Sequence, residues 1–193
     1  RKDIAENVNF KFPRPTHGPD ALTEISHITA EDVLSDIDTR KARSGLNGRY
    51  GHLLADIPPG LNYSFYTEKM NHPNPVFAWR SKFSDFLYKA DPKKPVRTIK
   101  AQGGKYTGPF HWDGRPFLVS ELKRLQSFPD KYVLIGNKQA QIKQIGNSVP
   151  PQFARILACS VASQLFKSDL PIDMDYLFER ETLSFRKRKR MLS

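Results

Sequence analysis

Apolar positions recur at helical spacing in two stretches near the end of the chain. Leu118, Leu122 and Leu125 stand at i, i+4 and i+7, a stripe that predicts a helix with one face on a core. Ser120 is placed to cap it, Glu121 suits its positive first turn, and Pro129 forbids continuation, so the helix is expected to end near Phe128. A second stripe, Phe153, Ile156, Leu157, Val161 and Leu165, follows Pro150-Pro151, where a fixed φ and a missing N–H cost a helix least. The polar stretch between the two ends in Gly146-Asn147-Ser148, read as a turn that offers backbone N–H groups and small polar side chains to an anion. A plain helix-capping loop is the other reading of the same residues.

Earlier in the chain the pattern is weaker. Ile28, Thr29, Asp32 and Val33 have the spacing of a capping box with a hydrophobic staple, which predicts a short helix ending near Ile37. Arg40, Lys41, Arg43 and Arg49 alternate with small residues in a flexible basic loop that suits a phosphate backbone or plain solvent. Tyr63, Phe65, Tyr66, Phe77, Trp79, Phe83, Phe86 and Tyr88 are dense enough that most must be core. Arg80 and Lys82 break that run with groups that bind phosphates or read guanine edges. Val96 to Ala101 is β-rich, and Gly103-Gly104 permits a sharp reversal, either as an ordinary hairpin tip or for close approach to a ligand.

Charge narrows the partner. In 193 residues, 31 basic side chains against 20 acidic ones give a net charge of +11, and the pI near 9.8 points to an anionic ligand such as nucleic acid. A single cysteine excludes an intrachain disulfide and suits a reducing cytoplasm. No apolar run approaches the roughly 20 residues of a membrane span, no histidine pair has metal-site spacing, and the opening on Arg1 leads us to expect a fragment or processed product. Arg186 to Arg190 is a pure charge run, expected to be disordered.

The segment Glu121-Leu-Lys-Arg-Leu-Gln-Ser-Phe-Pro-Asp130, followed by Gln144-Ile-Gly-Asn-Ser-Val-Pro-Pro151, resembles the ninth and tenth conserved motifs of bacterial cytosine-5 DNA methyltransferases. Pro95 to Gly104, with Gly108-Pro-Phe-His-Trp112, is similar to the end of that family's target recognition domain. Arg1-Lys-Asp-Ile4 with Phe10-Lys-Phe-Pro-Arg-Pro15 resembles the approach to it. The resemblance implies an α/β protein: a connector over 1–20, a small β-rich target recognition domain over 21–112, helices over 113–166 that complete a Rossmann-like S-adenosylmethionine-dependent methyltransferase domain, and a basic tail over 167–193. It implies double-stranded DNA contacts from Arg80, Lys82, Arg97, Thr98, Gln102, Gly103, Gly104, Lys105, Tyr106 and Thr107, with Thr98 near the flipped base. It also implies that Gly146, Asn147 and Ser148 close over S-adenosylmethionine and the cytosine, and that Arg124, Gln126 and the Phe128-Pro129-Asp130 turn join the lobes. The implied setting is a bacterial restriction-modification system, in the cytoplasm and at the nucleoid through DNA.

Cytosine-5 methylation needs a thiolate and a bound methyl donor. Cys159 sits in the middle of the second expected helix, between Ala158 and Ser160, and is a poor nucleophile by position; no Gly-x-Gly occurs, and the family's Pro-Cys-Gln loop has no counterpart. Glu6-Asn7-Val8 matches a catalytic triplet out of context and is read as coincidence. The expectation is therefore a recognition part with no catalytic residue of its own, silent alone, which shares the methyl donor with an N-terminal catalytic half in the same chain or a separate subunit. A noncatalytic DNA-binding module is the alternative.

Overall fold

In the computed structural model, which describes residues 9–18 and 26–167, Thr29 opens the first helix, α1 (Ala30–Leu34). Its hydroxyl accepts the Asp32 N–H at 3.2 Å, and the Asp32 carboxylate accepts the Thr29 N–H at 2.8 Å, the reciprocal box expected from the sequence. The first-turn N–H groups of Ala30 and Glu31 are taken by the carbonyls of Lys94 and Pro92. The helices that follow are α2 (Leu53–Asp56), α3 (Val119–Leu125), α4 (Lys138–Asn147) and α5 (Pro151–Phe166), with single 3₁₀ turns at Tyr63–Tyr66 and Glu68–Met70. Among the described residues no helix is long and apolar enough to cross a membrane. The basic tail beyond Lys167, the Glu6-Asn7-Val8 triplet and Arg1 to Ile4 lie outside the described residues.

The expected small β-rich domain is not what forms. Among the described residues there is no strand, and the only pairing is three isolated bridges, Phe86 with Thr107, Lys89 with Phe110, and His111 with Arg115. The segments 86–90 and 106–111 do exchange hydrogen bonds, from Leu87 N–H to Tyr106 O and from Ala90 N–H to Phe110 O, both at 2.8 Å. A ladder cannot propagate from them, because Leu87 adopts φ 52° and leaves the extended region. Pro92, Pro95 and Pro109 also lack the N–H that a strand must donate. Val96 to Ala101 does not keep the alternation expected of a strand: Ile99 is buried, whereas Arg97, which would share its face, is exposed together with Thr98 and Lys100.

Contacts divide the chain into two units, one of which, among the described residues, comprises 9–18, Ser26 and 153–167, and the other His27–Gln152. The second unit has two apolar clusters. Leu53, Leu54, Ile57, Tyr63, Tyr66, Leu87 and Phe110 form one, with Tyr50, Phe77, Phe86 and Tyr106 packed edge-to-face at its margin. Leu34, Ala90, Ile99, Phe117, Leu122 and Ile145 form the other and draw together α1, α3 and α4. Most of the aromatic run is thus core, while Trp79 (49% exposed) and Phe83 (44%) are not. In the first unit, Gln164 on α5 exchanges two 2.8 Å hydrogen bonds with the Lys11 backbone.

Two boundaries differ from expectation. The α3 cap is Leu118 instead of Ser120, because Glu121 reaches back to the Leu118 N–H at 2.7 Å. The helix stops at Leu125, three residues before Phe128, in a left-handed turn at Ser127 (φ 64°), with the Phe128 N–H on the Lys123 carbonyl at 2.8 Å.

Candidate nucleic-acid interface

The chain from Phe110 to Glu121 is held by charge inside apolar surroundings. Arg115 and Glu121, 5% and 1% exposed, meet side by side at 2.7 and 2.9 Å, and Glu121 also accepts the Leu118 N–H. Burial would raise the Glu121 carboxyl, but the Arg115 guanidinium and the Leu118 N–H hold it below its ordinary value. His111 lies 3.7 Å from Glu121 with its ring tilted over Trp112, the centroids 3.9 Å apart. Its Nδ1 accepts the Asp113 N–H at 3.1 Å, which leaves the other nitrogen to carry the proton of the neutral ring. Burial, and then the positive charge of Arg115, hold His111 below its ordinary value of 6.5. The unfolded chain consequently binds that proton more readily, so stability is full above pH 6.5 and falls as the pH drops through and below that value. Urea unfolding between about pH 5 and pH 7 should show this slope, and His111→Gln should flatten it.

Behind this network a cavity of about 600 Å³ has Ile99, Phe110, Phe117 and Leu122 as its floor. Its rim carries Gln102, Gly103, Gly104 and Thr107, facing Asn137 to Ala140 at the start of α4, with Lys100 and Lys143 beside them. Four of the residues expected to touch DNA are thus brought together. Arg97 and Thr98 lie elsewhere. They line a 630 Å³ cavity with Asp85 and Lys100, and a 420 Å³ cavity with Gln126, Gly146, Ser148 and Pro150. Arg97 also covers the Tyr88 ring at 4.1 Å.

The remaining expected contacts separate. Tyr106 is half-buried between Tyr50 and Phe86. Arg80 and Lys82 are exposed and line none of these cavities. Lys105 faces a further cavity with the basic loop. Arg124 is a junction within the second unit, binding Asp130 at 2.7 and 2.8 Å, Asp36, and the Val33 carbonyl at 3.3 Å.

Gly146-Asn147-Ser148 is not a turn over the N-terminus of α5. Gly146 and Asn147 are the last residues of α4, and Ser148 is its C-cap. A Cβ on Gly146 would fall 2.2 Å from the Ala101 nitrogen, so its missing side chain is matched by protein backbone. The Ser148 hydroxyl donates to the Ile145 carbonyl at 2.6 Å, and the Ser148 carbonyl accepts from Gln126 at 3.0 Å. Only the exposed Asn147 amide makes no hydrogen bond among the described residues. Gly146 and Ser148 therefore line the 420 Å³ cavity, and Asn147 stands exposed beside them at the end of α4.

Sequence reasoning missed α4, the Arg115–Glu121 pair and Lys138. The signal for α4 was Asn137, whose side chain accepts the Ala140 N–H at 2.9 Å, followed by strong helix formers. Opposite charges beside Trp112 and Phe117 were the signal for the pair. Among the described residues no group of three His, Cys, Asp or Glu is placed to hold a metal.

A family model for C-5 cytosine-specific DNA methylase matches residues 4–163. The chain is 35% identical over 174 residues to the type II methyltransferase M.SacI of Streptomyces achromogenes, an alignment covering 81% of this chain and 44% of that protein. It is 43% identical over 174 residues to the type II methyltransferase M.Eco47II of Escherichia coli, covering 86% and 40%. To the DNA (cytosine-5-)-methyltransferase M.ApeKI of Aeropyrum pernix it is 38% identical over 76 residues, covering 38% and 16%. The matched part is thus less than half of each relative's length.

Proposed function

Because the chain belongs to the C-5 cytosine-specific DNA methylase family, we propose that it is the part of such an enzyme that grips double-stranded DNA and closes over the target cytosine. The observation that carries this reading is the 420 Å³ cavity. There Arg97 and Thr98 from the 96–101 segment meet Gly146 and Ser148 from the end of α4, two stretches that the family resemblance assigns to the flipped base and to closure of the site. Beside them, the glycine-bearing 102–107 loop presents amide, hydroxyl and ammonium groups of the kind that read base edges and phosphates.

The reaction served is transfer of a methyl group from S-adenosylmethionine to C5 of a cytosine rotated out of the duplex. When bound, the donor supplies an electrophilic methyl on sulfur. This chain's share is to hold DNA, wall the site with Gly146 and Ser148, and offer the Asn147 amide. It supplies no nucleophile, because Cys159 lies within α5 between Ala158 and Ser160, outside any Pro-Cys-Gln loop. The thiolate and most of the donor site come from the N-terminal catalytic half. The functional division is a recognition region over 21–112 and closing motifs over 113–166.

Labelled methyl transfer to duplex DNA tests this. The chain alone should be silent, and mixing with the separately expressed half that bears Pro-Cys-Gln should restore transfer. Activity of the chain alone would overturn the assignment of roles. DNA binding with silence in both arms would make the chain a noncatalytic DNA-binding module.

A further inference from the structure

A second cavity, of about 720 Å³, adjoins the first and shares Lys138 and Pro116 with it. Four cations converge on it from three separate segments: Lys41 and Arg43 from the basic loop, Lys105 from the glycine-bearing loop, and Lys138 from the first turn of α4. All four are exposed, and no carboxylate lines the cavity. None of the four is in an ion pair among the described residues. Asp38, the acid next to this loop, is committed to Arg40 at 2.7 and 2.9 Å.

The two loops touch at Gly48. A Cβ there (φ +100°) would fall 2.4 Å from the Tyr106 hydroxyl and 2.7 Å from the Lys105 ammonium, so both side-chain tips reach over this glycine. Gly45 has the opposite surroundings, with nothing within 4 Å of its Cβ position, and leaves the lip of the cavity open. Holding like charges on one face is unfavourable unless an anion bridges them. A chain of phosphodiesters is the anion whose repeating charge fits several cations set along a groove.

We propose that this cavity is a second nucleic-acid contact, in which Lys41, Arg43, Lys105 and Lys138 grip successive backbone phosphates of duplex DNA without reading base sequence. The inference rests on the reading of the chain as DNA-binding, and it adds Lys41, Arg43 and Lys138, which no motif of the resemblance includes. Because Lys138 lines both cavities, the phosphate track runs on toward Lys143 at the rim of the first, whereas Lys100 there is already paired with Asp85.

The test is binding of this chain to two labelled duplexes of unrelated sequence across a salt series. Log affinity against log salt has a slope of about −0.9 for each phosphate neutralised, so Lys138→Gln should make it shallower by about 0.9 and the Lys41→Gln/Arg43→Gln/Lys138→Gln variant by about 2.7. Affinity should fall equally on both duplexes, and Lys138→Arg should keep the wild-type slope, which separates lost charge from lost fold. An unchanged slope in the triple variant, with the wild type still binding, would overturn this inference alone. A loss confined to one duplex would also overturn it, since that is base readout. Failure of the wild type to bind either duplex at about 50 mM salt would remove the DNA-binding reading and this inference with it.

Discussion

Replacing Glu121 by alanine is expected to destabilise the protein by about 3–5 kcal/mol. Three costs coincide. The Arg115 guanidinium, 5% exposed, is left as a buried charge without its partner. The Leu118 N–H loses its acceptor, and with it the anchor of the first turn of α3. A void also opens beside Leu122 and Phe117. Since domains of this size are stable by only about 5–15 kcal/mol, a shift of this size is a large share of the whole. Urea denaturation checks it through the midpoint at constant slope. The attribution to a stranded charge has its own control, because Arg115→Met combined with Glu121→Leu removes both charges and should recover most of the loss. A double variant as unstable as Glu121→Ala would assign the effect to packing and capping alone.

Gly146→Ala is the second substitution with a large expected effect, and here two terms oppose. Alanine favours a helix over glycine by at most about 1 kcal/mol, and Gly146 lies in the last turn of α4, where the preference is weaker. Against that, its Cβ would lie 2.2 Å from the Ala101 nitrogen and 2.5 Å from the Ala101 Cα and Lys100 carbonyl carbon, all backbone atoms that no rotamer change can move. Overpacking of this kind costs about 1–3 kcal/mol or more. The net result should be a loss, read as a melting temperature lower by a few degrees. The backbone that must retreat, at Lys100 and Ala101, lies two residues beyond Thr98 in the same segment, so methyl transfer in the complemented assay should fall further than stability does. Wild-type melting and activity in Gly146→Ala would show that the contact relaxes without consequence.

Legibility in the sequence followed the strength of local signals. Thr29 with Asp32 gave α1, and Pro150-Pro151 gave the start of α5, because caps and prolines act within one turn and are little altered by tertiary context. The α4 helix was harder to see. Ile142 and Ile145 are its only large apolar positions, so its polar residues read as loop although Asn137 caps it. The strands expected around Val96 and the Gly103-Gly104 reversal failed for the opposite reason. The β-branched pattern was real, but pairing depends on partners distant in sequence, and Leu87 with its positive φ interrupts the one available. At the site, motif resemblance named Thr98, Gly146 and Ser148, and the structure brings them to one cavity. It could not name Lys138 or Lys41, whose grouping arises only when the loops fold against α4.

The division of the second unit into two apolar clusters also bears on how such a protein can diversify. Tyr106 and the end of the basic loop hang on the aromatic cluster through Tyr50, Phe86 and Leu46, whereas the segment bearing Thr98 and the end of α4 are rooted in the other through Ile99 and Ile145. Substitutions that reshape the aromatic margin can therefore redraw the surface offered by the loops while the frame around Gly146 keeps its spacing. Sequence change can act on the two clusters separately, letting the loops vary while the frame around Gly146 is held fixed.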